Sequence, residues 1–173
     1  MIFLNEPEEG GATEFPHIGI GVRPEHMRWL TGFALAEGED KVAGHSGQFL
    51  VGTDEVIVLT DSRYTVQARR EAPGVTVDEI GYALADAWRR LLARVGARRV
   101  ALEADVVPHA LWQRLEAAAP DVEHVPAEPW LVTSRATKTP DELERVAAAC
   151  AVADRALAAL LPDIRAGVSE HDL

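Results

Sequence analysis

Four short stretches place chemically capable side chains close together. Asp61-Ser62-Arg63-Tyr64 joins a carboxylate, a hydroxyl, a guanidinium and a phenol immediately after a run of aliphatic residues. Gly44-His45-Ser46-Gly47 sets a hydroxyl beside an imidazole between glycines. Glu103 and Asp105 stand two apart, and Glu123-His124 are neighbours. A nucleophilic Ser46 would need a base aligned with it, a third group to orient that base, and an oxyanion hole. Residues adjacent in sequence seldom align that way, so the glycine-flanked segment reads as a turn leading into a strand. The six histidines, His17, His26, His45, His109, His124 and His171, are dispersed and form no HxH or HxxxH ligand pair. They read as surface or loop residues. Glu103 and Asp105 lack a third ligand, and metal sites carry more ligands and a supporting shell. They read as a solvated acidic strand end. No Walker loop, GxGxxG turn or Gly-x-Ser-x-Gly elbow is present. Asp61-Ser62-Arg63-Tyr64 is the best functional candidate, because open α/β sheets place binding groups at the C-terminal ends of strands. Its plainer role is for Asp61 to cap the next helix and pair with Arg63.

The elements that must position these groups follow from periodicity. Residues 1–15 are acidic and glycine-rich and read as an irregular arm. His17–Val22 suits a short strand, Pro24–Trp29 a turn or brief helix, and Glu37–Lys41 an exposed loop. Gln48–Gly52 and Glu55–Thr60 are aliphatic strands joined at Thr53-Asp54, as a hairpin. Val56-Ile57-Val58-Leu59 lacks polar alternation, which predicts a central strand covered on both faces. Ser62–Ala72 reads as a helix ended by Pro73-Gly74, and Val75–Ile80 as a strand. Tyr82–Val95 repeats Leu84, Trp88, Leu91, Leu92 and Val95 at helical spacing, with Gly96 as its stop. A strand over Arg99–Glu103, a helix over Pro108–Ala119 with Leu111, Trp112 and Leu115 inward, and a strand over Val122–Val125 complete the pattern. Strands alternating with helices imply an α/β layer structure with a mixed sheet.

Beyond residue 132 the character changes. Thr139-Pro140-Asp141-Glu142 offers a cap, a first-turn proline and acids at the positive helix end. Leu143, Val146, Ala147, Cys150, Leu157 and Leu161 give the helix an apolar face, and Cys150 reads as a small buried hydrophobe. Ser169 offers the cap of a further helix. A chain stopping at a helix start implies that more polypeptide follows.

The 173 residues carry a net charge of -11, which disfavours nucleic acid as a partner. Hydrophobic residues make up 47% and aromatics only 6%, so the core must be aliphatic. A single cysteine excludes an internal disulfide. No signal-peptide pattern and no run near the ~18 apolar residues of a membrane span is visible. A cytoplasmic location without membrane contact is expected.

Five stretches together resemble the N-terminal domain of the creatinase/prolidase/Xaa-Pro aminopeptidase family. Arg28-Trp29-Leu30-Thr31-Gly32-Phe33 is similar to its RYLTGF step, and Gly44–Val51 to its GSxGxLLV step. Leu59–Ala68 is similar to LTDGRYxxQA, with Ser62 at the usual glycine. Arg135–Leu143 resembles RxxKTPxEI, and Gly167–Leu173 resembles GxTExEL. The likeness runs from about residue 18 to 173. Two departures stand out: no helix precedes the first strand, and an extra loop over 34–43 separates two motifs that normally adjoin.

The resemblance implies a ribonuclease H-like α/β domain over 16–132. Residues 133–173 would be the linker and first helices of an absent pita-bread catalytic domain. It implies a parent that hydrolyses the bond before proline with two divalent metal ions (Mn, Co or Zn), whose ligands all lie downstream. No catalytic or metal-binding residue is then expected in this chain. The implied partners are its own catalytic domain, a second copy in a homodimer and a proline-containing peptide. Arg63, Tyr64, Trp29 and Phe33 become candidates for the substrate cleft, with Asp61, Gly32 and Gly47 as structural motif residues. A creatinase-like amidinohydrolase, or a peptidase-like binding module without catalysis, shares the same pattern.

Overall fold

The computed structural model describes residues 19–36, 46–81, 83–127 and 130–172. The arm over 1–15, His17, His45, Tyr82, the Glu37–Lys41 loop and most of the 34–43 insertion lie outside them. The chain falls into two compact units, Met1–Leu131 and Val132–Leu173.

The first unit is built on a six-stranded mixed sheet. Its strands are β1 (Gly19–Gly21), β2 (Gln48–Val51), β3 (Val56–Thr60), β4 (Thr76–Glu79), β5 (Arg99–Leu102) and β6 (Glu123–Pro126). Their order across the sheet is β4-β3-β2-β1-β5-β6. β2 pairs antiparallel with both β1 and β3, and all other neighbours are parallel. Five strands therefore run one way and β2 the other. The β2–β3 hairpin forms as its composition predicts, with Leu50 opposite Ile57 and Phe49 opposite Val58. Gly52 N–H donates to Glu55 O across the turn at 2.8 Å.

Four helices cover the sheet: α1 (Pro24–Thr31), α2 (Thr65–Glu71), α3 (Leu84–Arg94) and α4 (His109–Ala118). Strand residues alternate between two cores. Ile20, Leu50, Ile57, Leu59, Val100 and Leu102 pack with Leu84, Trp88, Leu91 and Leu92 of α3 and Leu115 of α4. Phe49 and Val58 pack with Met27, Phe33, Tyr64 and Ala68 on the other face. Ile57, Val58 and Leu59 are each fully buried, as a doubly covered strand requires. Each large side chain so buried contributes roughly 1.5–3 kcal/mol. Leu111 and Trp112 are only partly buried against the first core, while Leu115 is fully buried. α3 is also tied down by charge. Arg90 holds Asp78 through two hydrogen bonds of 2.7 and 2.9 Å, and Arg94 holds Glu55 through two of 2.9 Å.

Several boundaries move from the sequence-based reading. The expected brief helix at Pro24–Trp29 continues to Thr31, with proline at its first turn and Gly32 closing it. The expected helix over Ser62–Ala72 begins only at Thr65, because Asp61 organises residues 61–64 as a turn.

A short helix, α5 (Trp130–Ala136), spans the boundary of the two units, and α6 (Pro140–Leu160) follows it in the second. α6 carries a complete capping box: Glu142 N–H donates to Thr139 Oγ1 and Thr139 N–H to Glu142 Oε2. The helix expected after Ser169 is a single 3₁₀ turn, Glu170–Asp172. Cys150 corrects the expectation of a buried thiol, for it is exposed, as are Leu143, Val146, Leu157 and Leu161 beside it. The helical period correctly sorted these residues onto one face, but period alone does not say that a face is covered.

Candidate functional site

Because β2 alone is reversed, the C-terminal ends of the other five strands and the start of β2 lie along one sheet edge. Buried polar residues gather there: His26, Ser46, Gln48, Thr60, Thr65 and Glu103. Strand-end backbone groups have left the ladder and need partners, which short polar side chains supply.

Asp61, just past β3, organises one cluster. Its Oδ1 accepts the backbone N–H of Arg63 at 2.9 Å and Arg63 Nε at 3.1 Å. Its Oδ2 accepts Arg63 Nη2 at 2.7 Å and the Ser46 hydroxyl at 2.9 Å. Ser46 Oγ in turn accepts the Asp61 N–H at 3.0 Å, so the start of β2 and the end of β3 clasp each other. The Asp61 carbonyl receives the N–H groups of Tyr64 and Thr65, both at 3.1 Å. The Arg63 guanidinium, assisted by the Arg63 N–H and the Ser46 hydroxyl, holds the Asp61 carboxyl down at about 2. Asp61 is thus an anion committed to structure, and the Ser46 hydroxyl is spent on the same clasp. Arg63 bridges outward: its guanidinium lies 5.2 Å from the Tyr64 ring centroid, and half of its side chain meets solvent.

Glu103, just past β5, organises a second cluster. Its Oε2 accepts the N–H groups of Val22 at 2.7 Å and Arg23 at 3.2 Å, the chain leading into α1. Its Oε1 is hydrogen-bonded to His26 Nδ1 on that helix. Asp105 pairs with Arg23, a contact that raises the Arg23 basicity further. This corrects two expectations. Glu103 is not a solvated strand end and His26 is not a surface residue; they are 7% and 1% exposed. A carboxylate at a helix N-terminus, taking two backbone donors and an imidazole, is stable inside the fold. Glu103 and His26 are 77 positions apart, so no local spacing announced the pair.

The remaining candidates divide by exposure. Phe33 is wholly buried and Tyr64 is 8% exposed, both in the second core. Trp29 is half-buried against the same core. Arg63 and Trp29 therefore keep accessible surface, while Phe33 and Tyr64 support them from behind. Gly32 closes α1 at φ 82°, and a Cβ there would sit 2.8 Å from Glu71 O. Gly47 also has a left-handed φ, 89°, where the chain enters β2.

Among the described residues no three His, Cys, Asp or Glu side chains converge as a metal site. The donors nearest to one are already engaged, Glu103 by three donors and Asp105 by Arg23. Among the described residues no helix is long and apolar enough to cross a membrane.

Comparison with known proteins agrees with this architecture. A sequence model described as the Creatinase/Prolidase N-terminal domain matches residues 20–137. An uncharacterized peptidase, YqhT, of Bacillus subtilis (strain 168) is 26% identical over 145 residues, covering 84% of this chain and 38% of the relative. The structure of an Xaa-Pro dipeptidase from Bacillus anthracis superposes with a TM-score of 0.78 at 22% identity, over 90% of this chain and 41% of that one. The N-terminal domain of the cytoplasmic peptidase PepQ from Mycobacterium tuberculosis H37Rv gives 0.55 at 23% identity, over 68% of this chain and 85% of that one. The chain thus spans about two fifths of the length of the first two proteins.

Proposed function

The chain belongs to the creatinase/prolidase N-terminal domain family, and from that premise we propose that it is the non-catalytic lobe of a proline-specific metallopeptidase. In this reading Val132–Leu173 opens the catalytic domain of the parent. One observation carries it. The family match ends at residue 137, just before α6, and α6 presents an uncovered apolar face. The aligned lengths agree: the dipeptidase reaches over 90% of the chain, the isolated PepQ domain over 68%.

The lobe's own contribution is shape and charge along the sheet edge. Arg63, fixed through Asp61 and Tyr64, offers a positioned cation, and Trp29 a half-buried aromatic face. Both suit the carboxylate and the apolar ring of a short proline peptide. The parent's two divalent metals would polarise the scissile carbonyl and activate water, held by residues outside this chain. A homodimer in the cytoplasm completes the proposal.

The test is an assay of an Xaa-Pro peptide with manganese or cobalt. The isolated chain is expected to give no turnover, and the parent polypeptide measurable turnover. In the parent, Arg63→Ala and Trp29→Ala should raise KM severalfold. Hydrolysis by the isolated chain would overturn the assignment of a non-catalytic lobe. An unchanged KM in both variants would remove them from the cleft.

A further inference from the structure

We propose that His124 is a proton-sensitive latch that fastens the edge strand β6 to the core helix α3. The geometry fixes where its proton lies. Trp88 Nε1 is 2.9 Å from His124 Nε2. An indole nitrogen only donates, so His124 Nε2 carries no proton. His124 Nδ1 is 2.9 Å from Val122 O, and a carbonyl only accepts, so Nδ1 carries the proton. Both ring nitrogens are thereby used, and the imidazole is neutral. The rings stand 6.0 Å apart at 40°.

A second proton would point an N–H of His124 at the N–H of Trp88. The hydrogen bond would be lost and the indole donor stranded in the core, since Trp88 is 0% exposed. The flanking charges among the described residues are paired with one another. Arg89 of α3 is paired with Asp121 at 2.9 Å, and Arg99 of β5 with Glu123 of β6 at 3.4 Å. Val100, opposite His124 on β5, is apolar. The half-buried His124 has a way out to solvent, whereas Trp88 has none. Among the described strands β6 is paired on one side only, through four register positions with β5. Protonation therefore loosens the β6 edge before the rest of the sheet.

The experiment uses nitrogen-15 NMR on the full chain. At about pH 8, His124 should show an unprotonated Nε2 and a protonated Nδ1, and on acidification to about pH 5 the protection factors of the Trp88 indole and the β6 amides, taken against intrinsic exchange at each pH, should fall roughly tenfold. His124→Gln keeps an oxygen acceptor but does not titrate, so its β6 protection should hold in acid. His26 is unchanged in that variant, so the difference between the two proteins isolates His124. A protonated Nε2 at the higher pH, or the same acid response in His124→Gln, would overturn the latch. Should His124→Gln not fold, Trp88→Phe removes the donor instead. Its β6 amides should then lose their acid sensitivity, and retained sensitivity would overturn the latch equally.

Discussion

Glu103 Oε2 accepts the N–H of Val22 at 2.7 Å, across 81 positions of sequence. The same carboxylate holds Arg23 N–H and His26, so one side chain at the end of β5 fixes the entry to α1. α1 carries Trp29 and ends in the Gly32 turn. The placement of Trp29 therefore depends on a buried acid at the end of a distant strand.

Glu103→Ala should cost about 3 kcal/mol, because it strands two backbone donors and a buried imidazole. Glu103→Gln should cost less, since one acceptor oxygen survives. His26→Ala should also destabilise, and the double variant should lose at least about 1 kcal/mol less than the sum of the two. Urea denaturation of the four proteins measures the cycle. Simple additivity would mean that the pair is not coupled.

The Asp61 clasp makes stability depend on acid in a known direction. The Arg63 guanidinium chiefly, with Arg63 N–H and Ser46, holds the folded carboxyl at about 2, below its ordinary value of 3.8. A lowered folded value means that the contribution is present above the ordinary value. It is lost as pH falls from there toward about 2. Asp61→Asn should cost about 1–2 kcal/mol at neutral pH. It should also flatten the stability profile over that acid window. Parallel profiles for the two proteins would show that the clasp is not the source.

What the sequence made legible was governed by neighbours in the chain. The β2–β3 hairpin, the doubly covered β3, the Trp88 face of α3 and the Thr139 capping box depend on residues a few positions apart, and all are present. The Asp61–Arg63 pair was likewise foreseeable at a spacing of two. Glu103 with His26 and Trp88 with His124 depend instead on strand order, 77 and 36 positions apart. Polar composition alone assigned Glu103, His26 and His124 to the surface, and the helical period placed Trp88 inward without naming its partner. Burial failed in the opposite sense for Cys150. Its helix has the apolar period of a packed element while its own unit leaves that face exposed.

Gly32 tests whether α1 must stop where it does. Its φ of 82° is left-handed, and a Cβ would meet Glu71 O at 2.8 Å, a backbone atom that cannot swing aside. Gly32→Ala should therefore cost about 2–3 kcal/mol, the left-handed strain plus the clash. Gly74→Ala is the control: φ is 84° but nothing lies within 4 Å, so only the conformational cost of about 1 kcal/mol remains. Thermal unfolding of both variants gives the comparison. Equal losses would mean that the contact with Glu71 O relaxes freely.

α6 carries apolar or small residues at strict seven-residue intervals: Leu143, Cys150 and Leu157 on one line, Val146, Ala153 and Leu160 on the next. A seam with that repeat is built to meet another surface. Yet Leu143 and Leu157 are 56% and 54% exposed. If the parent's catalytic domain covers this seam, the same substitution must behave differently in the two settings. In the isolated chain Leu157→Glu removes no packing. It should shift stability by no more than about 0.5 kcal/mol while lowering the binding of a hydrophobic dye such as ANS. In the parent it would place a charge in a packed interface, with a loss of several kcal/mol expected. Calorimetry of both proteins, with and without the substitution, decides the matter. A large loss in the isolated chain would show the seam already buried there, and no loss in the parent would show it never becomes so.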